Sequence, residues 1–384
     1  MRWSARTRWD LSETPWARHL AELRAAGVAL CDLTASNPTH CGFQYEPAFV
    51  LGPLADPAAL GYEPDPRGLL VARQAVSLYY HDHGVEVGPE QILLTTSTSE
   101  AYSFLFRLLC DPGDEVLIGQ PGYPLLDFLA QLDDVRLVPY QFFYDHGWHL
   151  DPEALRRRIT DRTRAILVVH PNNPTGHFTR LEERAVLEQL CRDHRLALIV
   201  DEVFLDYVHP GLTGVSSFAA GEHDIPTFVL SGLSKIAGLP QMKVAWMTCF
   251  AGAEALDRLE VISDTYLSMS TPGQRALPVW LQGRELLQQQ IRQRLQQNLT
   301  TLDIVLERNP LVTRLAVEAG WYAVLRVPGV MPGERMAMDL LLQRRVAVHS
   351  GSFFGFPGDG WLVISLLAPP LEFREGVSAI VSNL

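Results

Sequence analysis

The sequence has 384 residues, and 47% of them are hydrophobic. Because this length exceeds the roughly 250–300 residues at which a single hydrophobic core stops growing, we expect two domains. Its formal net charge of −12 argues against a nucleic-acid surface, and the lack of a run of about 18 apolar residues argues against a membrane span. The charged N-terminus lacks the apolar stretch of a signal peptide, and the five cysteines, without a CxxC pair, fit reduced thiols in a cytoplasmic protein.

The first two thirds of the chain show alternating helix and strand patterns. An arm leads into a short amphipathic helix over 16–26, and residues 32–39 run from a strand into a turn. Further helices are then predicted over 67–82, 100–110 and 181–194, and apolar strands over 91–95, 115–118, 164–170, 196–201 and 227–230. Because these strands are almost continuously apolar, they predict an α/β fold with a mostly parallel sheet covered by helices on both faces.

The last third of the chain predicts a smaller unit. Pro272-Gly273 predicts a chain break, and a Gln-, Arg- and Leu-rich helix follows over 282–308. At about 27 residues, with Pro310 ending it, this helix fits a bridge between domains better than a coiled coil. Residues 311–384 predict two or three strands and two helices. The expected domains are an N-terminal arm with part of the small domain (1–40), a large domain (41–275), the bridging helix (276–310) and a small α+β domain (311–384).

Three segments carry the chemistry. Lys235 follows the strand over 227–230 and lies in a loop of small residues, SGLSKIAGLPQMK, where its amine can approach a carbonyl group and form an imine. Upstream are HPNNPTG at 170–176 and DEVF at 201–204. In order and spacing, the three segments resemble the class I/II aminotransferases of pyridoxal-phosphate (PLP) fold type I, which include aspartate aminotransferase. The resemblance extends over nearly the whole chain.

The resemblance implies a PLP cofactor and a ping-pong transfer of an amino group between an amino acid and a 2-oxo acid. Lys235 would hold the cofactor and then shuttle a proton. Asp201, at the end of a buried strand, would pair with the ring nitrogen; the alternatives are a helix N-cap or a surface salt bridge. Asn173 would donate to the phenolic oxygen of the cofactor; the alternative is a plain Asn-Pro turn.

A phosphate site is expected at the start of the helix near residue 98. Ser97 and Glu100 form a capping-box pattern, and a helix N-terminus attracts anions. The resemblance assigns the phosphate to Thr98 and Ser99; the alternative is capping without a ligand. Ser234 could replace a hydroxyl that the family often places at the position of Gly232. Lys243 stands where the family usually has an arginine, and it supplies charge without a bidentate fork.

Two tyrosines are assigned by the same resemblance. Tyr123 would stack on the cofactor ring; the alternative is a core tyrosine. Tyr62 resembles a tyrosine that reaches across the dimer to the phosphate of the partner, which implies a homodimer with shared active sites.

Two positions depart from the family pattern. Phe204 stands where a tyrosine usually donates to the phenolic oxygen, and whether the nearby Tyr207 compensates is left open. Val363 stands where an arginine usually binds the substrate carboxylate, a strong charge-assisted contact that valine cannot make. Either another group binds the carboxylate or the substrate is unusual. Arg326 is one candidate, although it also fits a surface strand arginine, and Asn37 and Ser352 could add polar contacts.

Other functions remain as alternatives. A carbon–sulfur lyase or a decarboxylase would use the same Lys235, Asp201 and Asn173. A PLP-sensing regulator is less favoured, because only about 35 residues precede Ser36, which leaves little room for a DNA-binding domain, and the chain as a whole is acidic. The close histidine pairs, His81 with His83 and His146 with His149, lack cysteine or glutamate partners at ligand spacing, so no metal site is expected. The sequence does not identify the amino donor or acceptor.

Overall fold

The computed structural model describes residues 2–214, 216–327 and 331–382. Within these ranges the helices are α1 (Pro15–Ala25), α2 (Pro47–Leu51), α3 (Leu70–Asp82), α4 (Thr98–Leu109), α5 (Leu126–Leu132), α6 (Pro152–Arg156), α7 (Leu181–His194), α8 (Leu233–Ile236), α9 (Ala253–Tyr266), α10 (Thr271–Gln282), α11 (Glu285–Glu307), α12 (Gly333–Asp339) and α13 (Pro370–Ser382). The strands are β1 (Cys31–Asp32), β2 (Ile92–Thr95), β3 (Glu115–Gln120), β4 (Arg136–Tyr144), β5 (Trp148–Leu150), β6 (Thr163–Val169), β7 (Ala197–Asp201), β8 (Thr227–Gly232), β9 (Ala245–Phe250), β10 (Thr313–Arg314), β11 (Tyr322–Arg326), β12 (Val346–Ala347), β13 (His349–Ser350) and β14 (Trp361–Ser365).

The large sheet has eight strands in the order β2-β9-β8-β7-β6-β3-β4-β5. Its five central strands, from β8 to β4, pair in parallel. β9 pairs antiparallel with β8 and β2, and β5 pairs antiparallel with β4. The prediction of a mostly parallel sheet is confirmed.

Both faces of this sheet are buried, which explains the unbroken apolar strands. In β7, Ala197 and Ile199 join one core cluster with residues of α4, while Leu198 and Val200 join the other, larger cluster. Successive side chains of a strand point to opposite faces, so both sets must be apolar when helices cover both sides.

A smaller antiparallel sheet has the strand order β10-β11-β14-β13. The N-terminal segment joins this part of the chain, because β1 pairs in parallel with β12. In the described part of residues 311–384 there are two helices, as predicted, and five strands rather than the expected two or three; three of the five are only two residues long.

Helix α11 contacts both parts of the chain through two buried polar side chains. The Gln288 amide donates to the carbonyl oxygen of Ile236, just after Lys235. The Asn298 amide donates to the carbonyl oxygens of Leu366 and Ala368, just after β14. This helix therefore fixes the distance between the lysine loop and the small sheet.

The structure corrects the predicted chain break at Pro272-Gly273. These residues lie in the first turn of α10, where a proline costs no hydrogen bond, and a Cβ on Gly273 would lie 3.0 Å from the Ser270 hydroxyl. The long helix predicted over 282–308 is present as α11 (Glu285–Glu307), and the residues before it form the separate helix α10 (Thr271–Gln282).

The pattern also fails to predict β4, β5 and β9. β4 contains Pro139, which lacks the N–H that a ladder uses, and a proline inside an apolar run argues against a strand. It is accommodated opposite Ile118 in the parallel pair with β3. Among the described residues, no helix combines the length and apolar character that crossing a bilayer needs.

Candidate active site

A cleft of about 260 Å³ opens at the carboxyl ends of the parallel strands. The segments that follow β2, β3, β6, β7 and β8 all contribute to its walls, as expected for the ligand crevice of an α/β sheet. Eight of the residues assigned from the sequence line it: Thr98, Ser99, Tyr123, Asn173, Asp201, Ser234, Lys235 and Lys243.

Lys235 lies against an aromatic wall at the base of the cleft. Its Nζ is 4.8 Å from the ring centre of Trp321 and 5.6 Å from that of Phe204, and it donates to the Ser36 carbonyl oxygen at 3.5 Å. Burial lowers the pKa of Lys235 to about 8, against the opposing charge of Asp201. The unprotonated, nucleophilic form of the amine is therefore more populated near neutral pH than in an ordinary lysine.

The two lysines of this cleft are the only two in the sequence. The chain has 32 basic residues, and all but Lys235 and Lys243 are arginines. Arginine stays protonated in proteins, so it can act neither as a nucleophile nor as a base. Both lysine side-chain amines of the chain therefore lie in this one cleft.

The carboxylate of Asp201 is held from two sides. Its Oδ2 accepts from the Tyr102 hydroxyl at 2.6 Å, and its Oδ1 accepts from the Val203 N–H at 3.0 Å. Burial raises the pKa of Asp201, while these hydrogen bonds and the Lys235 charge lower it. Because each carboxylate oxygen has two lone pairs, Asp201 keeps acceptor capacity toward the cleft.

The N-terminus of α4 forms the anion-attracting end of the cleft. Ser97 is the N-cap, and its hydroxyl accepts from the Glu100 N–H at 3.2 Å. The Glu100 carboxylate reaches back to the Thr96 N–H at 2.7 Å, one residue earlier than the capping-box pattern predicts. Thr98 and Ser99 occupy the first turn, where N–H groups lack intrahelical partners.

Asn173 lies in a tightly packed loop after β6. Its side-chain oxygen is buried without a hydrogen-bond partner in the structure. The loop ends at Gly176, whose φ of +70° favours glycine. A Cβ there would lie 2.5 Å from the carbonyl oxygen of Ala319, so the loop packs directly on the chain segment before β11.

Phe204, three residues after Asp201, brings no hydroxyl group to the cleft, as the sequence indicates. The Phe204 ring packs edge-on against Trp321, with ring centres 5.3 Å apart. Tyr207 does not replace the missing donor, because its hydroxyl donates to the Lys235 carbonyl oxygen at 2.7 Å. Its role is to hold the backbone of the lysine loop.

Four of the assigned residues do not line the cleft. Tyr62 is 73% exposed and lies beside α10. The Asn37 side chain caps a turn by accepting from Thr39. The Ser352 hydroxyl donates a hydrogen bond to the Glu334 carboxylate. Ser352 lines an adjacent recess, and Tyr123 forms part of the wall of both the recess and the cleft.

The fourth, Arg326, is a correction to the sequence prediction. It stands at the opposite end of β11 from Tyr322, roughly 13 Å along the strand. Its guanidinium lies 4.3 Å from the ring centre of Trp361 and donates to the Asp359 carbonyl oxygen. The structure therefore places Arg326 away from the cleft, in the surface position that was the alternative interpretation.

Among the lining residues to which the sequence analysis gave no role are three with hydroxyl groups: Ser36, Tyr102 and Tyr322. Tyr102 could have been found, because it stands four residues after Thr98 and so shares its helix face. Ser36 and Tyr322 reach the cleft through tertiary packing, for which the local sequence carries no signal.

The comparisons with known proteins agree with one another. The family model described as aminotransferase class I and II matches residues 54–380. The alanine aminotransferase of Mycobacterium tuberculosis is 28% identical over 362 residues, which covers 89% of this chain and 82% of that protein. The glutamate-pyruvate aminotransferase of Escherichia coli is 26% identical over 355 residues, which covers 89% of this chain and 87% of that protein.

Two solved structures match the whole fold. The alanine aminotransferase from Pyrococcus furiosus superposes with a TM-score of 0.89 at 24% identity, covering 100% of this chain and 99% of that chain. A single mutant of the aspartate aminotransferase from Thermus thermophilus gives a TM-score of 0.86 at 25% identity, covering 100% of both chains. The predicted fold type I architecture is confirmed, and the chain belongs to the class I and II aminotransferase family.

Proposed function

We propose that this chain is a PLP-dependent transaminase that moves an amino group between an amino acid and a 2-oxo acid in two half-reactions. The observation that carries the proposal is the position of Lys235. Its amine, with a pKa lowered to about 8, shares one cleft with the buried Asp201 carboxylate and the N-terminus of α4.

The residues of the cleft fit PLP. Asp201 offers a carboxylate for the ring nitrogen, and the first turn of α4 with Lys243 offers N–H groups, hydroxyls and a positive charge for the phosphate. The buried side-chain oxygen of Asn173 has no hydrogen-bond partner within the protein. Because an amide oxygen only accepts hydrogen bonds, the contact proposed for the phenolic oxygen of PLP uses the NH2 group of the same amide as the donor, and Asn173 lines the same cleft.

The chemistry divides between the cofactor and the chain. When bound, PLP supplies an electron-withdrawing ring that stabilises negative charge on the carbon that carries the amino group. Lys235 would hold the cofactor, and its freed Nζ would move a proton from that carbon to the cofactor carbon bonded to the same nitrogen. The rings of Phe204 and Trp321 keep water away from Nζ.

The substrate side of the cleft is neutral. Val363 is fully buried and pairs with Val324, on the same sheet face as Tyr322. Among the described residues, the cations that line the cleft are Lys235 and Lys243, and both are assigned to the cofactor. We therefore propose that the hydroxyls of Ser36 and Tyr322 contact the substrate in place of an arginine. Neutral donors bind a carboxylate less strongly than a guanidinium does, so a high KM is expected for simple amino acids.

The lyase and decarboxylase alternatives use the same catalytic groups, but the comparisons do not favour them. The proteins named above are aminotransferases. We also propose that the protein is a cytoplasmic homodimer, in which the domains follow the boundaries expected from the sequence. The five cysteines are unpaired, which fits a reducing compartment.

Reduction and peptide mapping test the proposal directly. The protein is incubated with PLP, reduced with borohydride and digested, and the modified peptide is identified by mass spectrometry. Modification of Lys235, and loss of the visible absorption band in Lys235→Ala, are expected. A label on Lys243 alone, or the absence of any label, would overturn the assignment.

Turnover then tests the reaction. Each L-amino acid or carboxylate-free amine is added to the PLP-loaded protein, and pyridoxamine phosphate and the oxo product are measured. Conversion by L-amino acids supports the proposal. Conversion by carboxylate-free amines alone would mean that the substrates are such amines instead of amino acids. Release of ammonia without formation of pyridoxamine phosphate would favour the lyase.

A further inference from the structure

Tyr102 is a buried group that the proposed reaction does not yet use. Its side chain lines the cleft, yet only 4% of the residue is exposed. Its hydroxyl donates to Asp201 Oδ2 at 2.6 Å, which joins α4 to the end of β7 across 99 residues of sequence. Neither the family pattern used above nor the local sequence assigns it a role.

The direction of this hydrogen bond is set by the surroundings of the two groups. Burial, followed by the Asp201 charge, raises the pKa of Tyr102 well above its ordinary value. The hydroxyl therefore keeps its proton and donates, and the carboxylate accepts. The bond favours the charged form of Asp201, which burial alone would disfavour.

A neutral donor suits this position better than a cation. An arginine or a protonated histidine at the same oxygen would also stabilise the carboxylate, but its full charge would weaken the attraction of Asp201 for a protonated ring nitrogen. A tyrosine hydroxyl orients the carboxylate and leaves its net charge available. With Val203 N–H on Oδ1, the carboxylate is fixed at both oxygens.

The position of Tyr102 on α4 adds a second consequence. Thr98, in the anion-attracting first turn, is four residues earlier and lies on the same face of the helix. One rigid helix thus carries both the proposed phosphate site and the partner of Asp201. The distance between the two ends of the cofactor site is fixed by a single element.

We propose that Tyr102 is a positioning residue that holds Asp201 ionised and correctly oriented for the ring nitrogen of PLP; this inference rests on the proposed function. Tyr102 acts through Asp201 and makes no chemical step itself. The ring of Tyr102 is packed against Phe106, with centres 6.3 Å apart, so Tyr102→Phe removes the hydroxyl and keeps the packing.

The test compares Tyr102→Phe with a matched control, Tyr79→Phe. Tyr79 is also buried, and its hydroxyl donates to another aspartate, Asp206, at 2.8 Å. Neither Tyr79 nor Asp206 lines the cleft. Both variants therefore lose one buried tyrosine–aspartate hydrogen bond, and thermal unfolding confirms that both are folded.

Two readouts other than turnover are measured on the PLP-loaded protein. The first is the dissociation constant for PLP, which should rise about tenfold or more in Tyr102→Phe, the loss expected for a hydrogen bond to a charged group. The second is the midpoint pH of the visible absorption band. With Asp201 less ionised, the ring nitrogen is less protonated, so the nitrogen that joins Lys235 to the cofactor holds its proton to higher pH. The midpoint should rise by about one unit.

Tyr79→Phe should leave both readouts at their wild-type values. The inference would be overturned if Tyr102→Phe kept the wild-type dissociation constant and midpoint pH, or if Tyr79→Phe changed both values by the same amount as Tyr102→Phe. The last comparison introduces Tyr102→Phe into Asp201→Asn. The double variant should have the same dissociation constant and midpoint pH as Asp201→Asn alone. A further change as large as that in the single variant Tyr102→Phe would show that Tyr102 does not act through Asp201. If wild-type protein itself shows no visible band with PLP, the proposed function fails instead.

Discussion

At the scale of single residues, the cleft depends on amines in a chain that otherwise uses arginine. Lys243 is exposed at the edge of the cleft, and its backbone adopts a left-handed conformation with φ of +52°. Its proposed role is to add charge beside the first turn of α4. The role of Lys235 depends instead on losing its proton. These two roles lead to separate predictions.

Lys243→Ala should weaken PLP binding roughly fivefold to tenfold, because an ion pair with an exposed partner contributes about 1 kcal/mol. Lys243→Arg should restore the affinity. Pyridoxal, which lacks the phosphate, is the control ligand, and its dissociation constant should be the same for wild type and Lys243→Ala. Equal weakening of both ligands would show that Lys243 does not contact the phosphate. Titration of the protein freed of cofactor measures all of these dissociation constants.

Lys235 should react with a small amine-directed reagent with a midpoint near pH 8 in the cofactor-free protein. Its pKa is lowered mainly by burial, so the neutral, reactive amine already predominates above that pH. The Asp201 charge opposes this shift, so Asp201→Asn should move the midpoint to lower pH. Mass spectrometry at a series of pH values gives the extent of modification at Lys235. A midpoint near 10 would mean that the amine is fully solvated.

At the scale of elements, the loops after the strands bring the site together. Gly176 ends the loop that carries Asn173, and it is buried with a φ of +70°. A Cβ would meet both the Ala319 carbonyl oxygen and the Val317 side chain. Gly84 has a nearly equal φ of +72°, is exposed, and has open space where a Cβ would be.

Gly176→Ala should therefore be more damaging than Gly84→Ala. Both lose about 1 kcal/mol through the left-handed backbone, and Gly176→Ala should lose a further 1–3 kcal/mol, approximately, through overpacking. Chemical denaturation measures the two free energies of unfolding. The dissociation constant for PLP should rise in Gly176→Ala alone, because only that loop carries Asn173, the proposed cofactor contact. Equal stability losses would mean that the segment before β11 moves aside without cost.

The same elements show what the sequence could and could not predict. The strands that end at Asp201 and near Lys235 are apolar on both faces, so their positions and their carboxyl-end chemistry follow from local pattern. Tyr322 and Ser36 come from distant segments, and only the packing of the small sheet against the cleft brings them to Lys235. The candidate role of Arg326 in binding the substrate failed for the same reason. The sequence of β11 predicts which side chains lie on each face of the strand, but it does not predict which end of the strand lies at the cleft.

At the scale of the whole molecule, one assigned residue has no role within a single chain. Tyr62 is 73% exposed, and Leu60, two residues earlier, is 92% exposed, so this loop exposes two large hydrophobic side chains. Tyr62 does not line the cleft of its own chain. If it contacts a phosphate, as the family resemblance implies, the phosphate belongs to a second copy of this chain.

A mixture of two variants with complementary defects in PLP binding tests this arrangement. Lys235→Ala removes the amine, and Tyr62→Ala removes the tyrosine, whose loss should weaken PLP binding at the neighbouring site. When the two proteins are unfolded together and refolded, half of the dimers should be mixed. Each mixed dimer then has one site with both Lys235 and a wild-type Tyr62 donated by the other subunit. That site should recover wild-type affinity for PLP, seen as a high-affinity phase that neither variant shows alone, while sedimentation confirms the dimer. If Tyr62 served its own chain, every site that retains Lys235 would lack it, and no such phase would appear.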